Sequence, residues 1–486
     1  MRDDRTTLDG SRRLPRGRVH RPEREVMALV LAWSREEPAR AGEVALVDGE
    51  QVLGRGGARD DDRVPRASFQ QQRPGKATLT GPLHNLRVSR TQLQLTPRDD
   101  VLVVESIGRC PLLVNGERAA RAEVHPGDTL HLEDELVFLV TRRPERIPPL
   151  RSPGFAADMA FGIADPFGFV GETPAAWALR DMVAFAARAD GHVLVRGDSG
   201  TGKELCATAI HRLSTRGGRP LVARNAATFP EGLVDAELFG NAKNYPNPGT
   251  AERQGLIGEA DGTTLFLDEI GELPAALQAH LLRVLDRNGE YQRLGESQVR
   301  HADLRVVAAT NREVAELKHD FAARFTLQLE IPPLAARTAD VPLLVRHLLA
   351  RTAAANDEVR RRFCGDPDDA LPRVDAALVE RLLRHTFRAN TRELAQILWQ
   401  ALAESRGATV ELTEGVAQRL AESAPSRAAT AEVTRPEIEA ALAAANGNVT
   451  RAARALGLKN RFVLYRLMKK VGLDAVVPDD TSGAPR

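Results

Sequence analysis

Val193-Leu194-Val195-Arg196-Gly197-Asp198-Ser199-Gly200-Thr201-Gly202-Lys203-Glu204 is a short apolar strand, a glycine-rich loop and the start of a helix, in that order. The helix pattern continues amphipathically through Leu205, Ile210 and Leu213. Such a loop binds phosphate because glycines let backbone N–H groups wrap its oxygens, the helix N-terminus favours negative charge, and a lysine neutralises the β- and γ-phosphates. Gly197, Asp198, Ser199, Gly200, Thr201, Gly202, Lys203 and Glu204 are therefore the expected ATP-binding loop. Glu204 stands where the general motif has a serine or threonine on Mg²⁺, so metal ligation must lean on other groups.

Those groups come downstream, where the apolar run Thr264-Leu265-Phe266-Leu267 ends in Asp268-Glu269. A carboxylate at the end of a neighbouring strand can hold Mg²⁺ while the next one polarises the attacking water. Asp268 is the metal candidate and Glu269 the general base. From Gly171 onward, the short apolar runs at Val193 to Val195, Leu221 to Val222, Thr264 to Leu267 and Leu304 to Ala309 are separated by helical segments. That order predicts a mostly parallel sheet covered by helices. From Val341 only helical periodicity remains, which predicts a separate helical lid over 341–422.

Residues 169 to about 420 resemble the AAA+ domain of the bacterial enhancer-binding proteins that activate sigma-54 RNA polymerase. The resemblance is carried by Gly171-Glu172-Thr173-Pro174, Gly197 to Glu204, Glu237-Leu238-Phe239-Gly240, Gly262 to Glu272 and Ala308-Ala309-Thr310-Asn311. It implies an ATPase of α/β core (169–340) and lid, and accounts for Glu204, which that family carries. It further implies Asn225 as a switch that restrains Glu269, Thr310 and Asn311 as the first sensor of the γ-phosphate, and Arg392, in Asn390-Thr391-Arg392-Glu393-Leu394, as the second. Hydrolysis in the family needs an arginine from a neighbouring subunit, hence a homo-oligomeric ring. Arg324 falls at one such position and Lys318 at the other, where an ammonium cannot reproduce a planar guanidinium clamp. The family's sigma-54 contact loop, Gly-Ala-Phe-Thr-Gly-Ala, is replaced here by Asn244-Tyr245-Pro246-Asn247-Pro248-Gly249, with prolines where the family has small, flexible residues.

Upstream, Gly42 to Thr141 alternates short β-type runs (Leu93 and Leu95, Val101 to Val104, Thr129 to Leu132, Leu136 to Val140) with turn signals at Asn115-Gly116 and Pro126-Gly127-Asp128. An all-β sandwich over 26–145 follows. Through Leu53-Gly54-Arg55-Gly56, Val88-Ser89-Arg90 and Val114-Asn115-Gly116 it resembles a forkhead-associated domain, which implies phosphothreonine-peptide binding by Arg55, Ser89 and Arg90. Gln92 stands where that family has a structural histidine, and Cys110 where it has an asparagine. A sandwich that merely docks on the ATPase is the alternative.

Downstream, Gly447 to Leu458 followed by Arg461 to Lys470 reads as helix, turn and second helix, with Ala452, Ala453 and Leu456 inside. Arg451, Lys459, Asn460, Arg461, Arg466, Lys469 and Lys470 form a basic surface for DNA, and the segment resembles a Fis-type helix-turn-helix. The expected organisation is a basic tail (1–25), sandwich, proline-rich linker (146–168), ATPase and lid, a second linker (423–433), the helix-turn-helix (434–474) and a tail (475–486).

Hydrophobic residues at 43% and charged residues at 27% exclude disordered and fibrous classes, while aromatics at 4% leave the cores to leucine, valine and alanine. The apolar run Val26 to Trp33 is too short to cross a bilayer. Cys110, Cys206 and Cys364 lack metal spacing and fit a reducing cytoplasm. Two functions remain open: an ATP-dependent activator interacting with sigma-54 RNA polymerase, and a DNA-binding repressor or scaffold in which ATP controls oligomerisation alone. An ATPase acting on another protein is a third.

Overall fold

Short strands separated by turns make up the first part of the chain. In a computed structural model that describes residues 24–57, 64–155, 159–230, 232–286, 289–365, 371–422, 435–444, 452, 456 and 464, it forms β1 (Glu25–Ser34), β2 (Val44–Val47), β3 (Gln51–Leu53), β4 (Phe69–Arg73), β5 (Lys76–Gly81), β6 (Leu93–Arg98), β7 (Val101–Ser106), β8 (Leu112–Val114), β9 (Glu117–Arg118), β10 (Arg121–Val124), β11 (Thr129–Leu132) and β12 (Leu136–Pro144). Among the described residues these make two sheets, ordered β5-β4-β2-β1-β12-β11-β8-β9 and β10-β7-β6-β3. Met27, Leu29 and Leu31 from the first sheet meet Leu93, Leu95, Leu102 and Val104 from the second in one core. Asn115-Gly116 turns β8 into β9 with both residues at positive φ, as a two-residue hairpin requires.

The remaining β1 positions, Val26, Ala28, Val30 and Ala32, are equally buried although they point away from that core. A strand buried on both faces reads as a continuous apolar run, which explains Val26 to Trp33. The second cover comes from the lid described below.

The ATPase follows as α1 (Pro174–Arg188), β13 (Val193–Arg196), α2 (Lys203–Arg212), β14 (Val222–Asn225), α3 (Val234–Phe239), α4 (Gly255–Glu259), β15 (Thr264–Asp268), α5 (Ala275–Leu285), β16 (Glu290–Tyr291), β17 (Arg300–His301), β18 (Arg305–Thr310), α6 (His319–Ala322) and β19 (Leu327–Glu330). The main sheet has the order β14-β15-β18-β13-β19 and every pair in it is parallel. In α2, Cys206, Ala207, Ala209 and Ile210 face the core, whereas Leu205, expected there, is 39% exposed. The lid helices in this part are α7 (Val341–Ala355), α8 (Asp357–Phe363), α9 (Ala376–Leu383) and α10 (Asn390–Glu404).

The described residues of 146–168, expected as a linker, are packed on both sides of 156–158. Phe155 sits edge-on to Phe167 and Phe169 within the core of the α/β domain. Asp165 accepts from the amides of Phe167 and Phe169 and pairs at 2.9 Å with Arg180. The Arg180 guanidinium also donates to the carbonyls of Gly171 and Phe169 and lies 4.6 Å from the Trp177 ring. Proline removes donors but does not prevent packing; the phenylalanines and the carboxylate supply the anchorage.

Sandwich, α/β core and lid form one compact unit, 1–413. Arg73 grips Glu172 with two bonds of 2.7 and 3.2 Å, and Asp340, just before α7, accepts from the amides of Glu172 and Thr173 and from the Thr173 hydroxyl. On the lid, α9 lies against β1, β11 and β12. Glu380 accepts from the Thr129 hydroxyl and meets His131 Nδ1, both at 3.1 Å. Asp134 N–H is 3.2 Å from His131 Nε2, so this nitrogen accepts and Nδ1 donates. Trp33 Nε1 donates to the Val374 carbonyl, and Arg384 donates to that of Asn115. The second unit, 414–486, contains α11 (Glu414–Glu422) and α12 (Arg435–Ala444), with Ala452 and Leu464 buried and Leu456 half-buried. No helix among the described residues is long and apolar enough to cross a membrane. The three cysteines are buried and form no disulfide, and burial pushes the Cys206 thiol up to about 12.

Two outcomes are expected. Arg180→Ala strands the buried Asp165 carboxylate and lowers stability by about 3–5 kcal/mol, measured as a fall in the urea midpoint. Burial pushes the Glu380 carboxyl up, but hydrogen bonds from His131 and Thr129 outweigh it and hold it below its ordinary value. Its contribution is thus present above the ordinary carboxylate range and lost as pH falls through the lowered value. Thermal melts should show that acid-side loss in the native chain and a flatter acid limb in Glu380→Gln.

Candidate functional site

Parallel pairing sets the site. Arg196 is level with Thr310, and Asn225 is level with Asp268, so the ends of β13, β14, β15 and β18 share one edge of the sheet. The glycine-rich loop leaves β13 there and enters α2 through Gly202 at φ +103°. Lys203 is buried, with Nζ 2.9 Å from the Gly197 carbonyl, 3.4 Å from that of Asp198 and 3.9 Å from Glu269 Oε1. Asp198 and Glu204 are exposed.

Asp268 accepts the Glu269 amide through Oδ1 at 3.0 Å. Glu269 has φ +50° and ψ +45°, a sparsely populated conformation for a non-glycine residue and one that clusters at functional sites. Asn225 does not bond Glu269: its Oδ1 caps the following turn by accepting Ala227 N–H at 2.9 Å. Thr310 is fully buried, its hydroxyl accepting from Arg312 N and its carbonyl from Gly197 N, while Asn311 is exposed.

The lid closes one side of the loop. Arg392 Nη1 donates to the Ser199 hydroxyl at 2.7 Å. Asn390 and Thr391, which carry no expected role of their own, bond the carbonyls of Ser199 and Gly200. Their adjacency to Arg392 was the only sequence signal. Arg324 stands at the surface beyond α6, 3.2 Å from Asp286, with Lys318 at the start of that helix.

The Sigma-54 interaction domain matches residues 169–332 of this sequence, and the Fis-family bacterial regulatory protein domain matches 430–470. The transcriptional regulatory protein ZraR of Salmonella typhimurium is 35% identical over 325 residues, spanning 64% of this chain and 71% of that protein. The chain belongs to the sigma-54-interacting transcriptional regulators. It is also 38% identical over 316 residues to the Nif-specific regulatory protein of Azotobacter vinelandii, covering 61% of this chain and 58% of that protein. A crystal structure of NtrX from Brucella abortus in complex with ADP is similar at a TM-score of 0.45, with 26% identity over 63% of this chain and 70% of that one. This regulator therefore carries an AAA+ ATPase domain followed by a Fis-type helix-turn-helix. The helix-turn-helix residues expected to contact DNA, Arg451, Lys459, Asn460, Arg461, Arg466, Lys469 and Lys470, lie outside the described residues.

Two further regions bear on function. The segment 241–251 is a closed loop: Asn241 Nδ2 donates to the carbonyls of Ala242, Tyr245 and Ala251, Asn244 N bonds Thr250 O, and Gly249 N bonds Asn244 Oδ1. Tyr245 packs on Gly295, where a Cβ would fall 2.5 Å from its ring. In the sandwich, Arg55, Ser89 and Arg90 come together at one end. Arg55 N bonds Ser89 O, a Cβ on Gly54 would lie 2.0 Å from Arg90 O, and Arg90 Nη2 donates to Gly57 O. The Arg55 Nε is buried and unpartnered, while the Ser89 hydroxyl accepts Arg109 N. Gln92 cross-links this end, donating to Cys110 O at 2.7 Å and accepting from the amides of Ser89 and Cys110.

Replacing Asn241 with alanine leaves three carbonyls without their shared donor. Amide exchange at Asn244 and Thr250 should accelerate about tenfold, equivalent to about 1.4 kcal/mol of local stability; unchanged exchange would mean the loop is held by other contacts.

Proposed function

We propose that this regulator is a DNA-bound, ATP-driven activator of sigma-54 RNA polymerase whose sandwich answers to a phosphothreonine-bearing protein. The reading rests on Lys203, Asp268 and Glu269 meeting at one sheet edge inside a matched Sigma-54 interaction domain. Loop amides and Lys203 hold the triphosphate of ATP. Asp268, whose Oδ1 accepts the Glu269 amide at the end of β15, would hold Mg²⁺ together with the phosphates, where the ion would neutralise developing charge. Glu269 takes the proton of the attacking water, leaving ADP and phosphate.

Thr310, Asn311 and Arg392 report the γ-phosphate, and Asn225 must give up Ala227 N–H to reach Glu269. Arg324 would act on ATP bound by the next copy in a ring, stabilising the transferring phosphoryl group. Arg451, Lys459, Asn460, Arg461, Arg466, Lys469 and Lys470 would fix the ring to an upstream DNA site in the cytoplasm. Arg55, with its free buried Nε, and Arg90 would take phosphate from the partner, and Ser89 would give a hydroxyl bond.

One observation favours the second reading, a repressor or scaffold in which ATP controls assembly without remodelling sigma-54. The tip at Asn244 to Gly249 is tied to its own base and to Gly295, and lacks the family's contact sequence. Transcription in vitro with sigma-54 holoenzyme separates the two. ATP-dependent open-complex formation by the native chain, lost in Lys203→Ala, supports activation; equal DNA occupancy without open complexes supports the scaffold. Glu269→Gln should bind ATP within about threefold of the native chain and hydrolyse it at least about 100-fold more slowly.

A further inference from the structure

The lid reaches the phosphate loop through carbonyl groups, and this has a geometric effect on the amides. In a trans peptide the C=O and the following N–H point in opposite directions, and the peptides of this loop are trans. Asn390 Nδ2 holds Ser199 C=O at 3.0 Å, so the N–H of Gly200, in the same plane, is turned away from the lid and into the loop. The Thr391 hydroxyl and amide hold Gly200 C=O at 2.6 and 3.2 Å. That turns Thr201 N–H inward as well, where it donates to Asp198 O at 3.3 Å, a long bond that a phosphate oxygen would replace.

Independent features fit this clasp. At Gly200, φ is +76°, and a Cβ would fall 2.2 Å from Ala389 O and 3.1 Å from Arg392 Cβ, so the start of α10 rests on bare backbone. Asn390 is 1% exposed at φ +51°, which asparagine tolerates better than most residues. Its Oδ1 accepts Leu334 N at 2.7 Å. Its one side chain therefore joins the phosphate loop, the lid helix and the segment that leads from β19 to α7. Glu393 secures the same corner, accepting Ala389 N at 2.9 Å and meeting His385 Nε2 at 2.8 Å.

We infer that Asn390 and Thr391 are positioning residues for ATP, which orient the Gly200 and Thr201 amides toward the phosphates by anchoring the carbonyls of Ser199 and Gly200. Neither side chain needs to touch the nucleotide. The inference rests on the ATPase alone and stands whether or not sigma-54 is the target.

The test uses the full chain, with ATP affinity by calorimetry and steady-state hydrolysis. Thr391→Val removes the hydroxyl at nearly constant shape, and Thr391→Ser keeps it. Asn390→Asp keeps the acceptor for Leu334 N but loses the donor to Ser199 O. Thr391→Val and Asn390→Asp should each raise Kd and KM for ATP about tenfold with kcat within about threefold, the equivalent of one lost hydrogen bond. Thr391→Ser should stay within about twofold of the native chain. A purely structural role would lower apparent kcat with the folded fraction and leave KM unchanged. Should Asn390→Asp fail to fold, the Thr391 pair decides alone, because that side chain is half-buried. Native affinity in folded Thr391→Val, or equal losses in Thr391→Val and Thr391→Ser, overturns the proposal.

Discussion

The register of the parallel sheet is the constraint on which the site depends. Pairing Arg196 with Thr310 and Asn225 with Asp268 ends the strands at a common edge, so side chains distant in sequence converge there. A shift of one residue would reverse the faces of Asp268 and Thr310. The cores on the two sides of the sheet oppose such a shift: Leu265 and Leu267 pack on one, and Phe266 on the other.

How much was legible followed from how local the cause was. The phosphate loop and the acid pair are contiguous motifs whose conformations follow from glycine and strand ends, and the structure places Lys203 and Glu269 3.9 Å apart. Alternation revealed β6 because Leu93 and Leu95 enter the sandwich core while Gln94 and Thr96 do not. Leu205 lies at the margin of the apolar stripe because helical periodicity marks a stripe without its edges, and Cys206 and Ala209 fill the interior instead. The packing of Phe155, Phe167 and Phe169 was hidden by the proline content around them. Asn225 was expected on Glu269 from resemblance, yet a nearer amide, that of Ala227, takes its oxygen. The role of Asn390 depends on Ser199 and Leu334, contacts that no periodicity encodes.

The junction of sandwich and ATPase combines charge with apolar cover. Arg73, Glu172 and Asp340 form a hydrogen-bonded relay through buried surroundings, where one missing partner costs far more than the pair contributes. On the lid, Glu380 is tied to Thr129 and His131. The sandwich thus grips both the start of the α/β domain and the lid, so a change in the angle between those two must strain or release one of these grips.

The outer face of β1 bears on whether the sandwich can stand alone. A sandwich that had circulated as an independent module would present threonine, lysine and glutamate to water along that face. Val26, Ala28, Val30 and Ala32 stand there instead, dry against other protein. Detached from the rest of the chain, the sandwich would bare a greasy stripe that invites clumping.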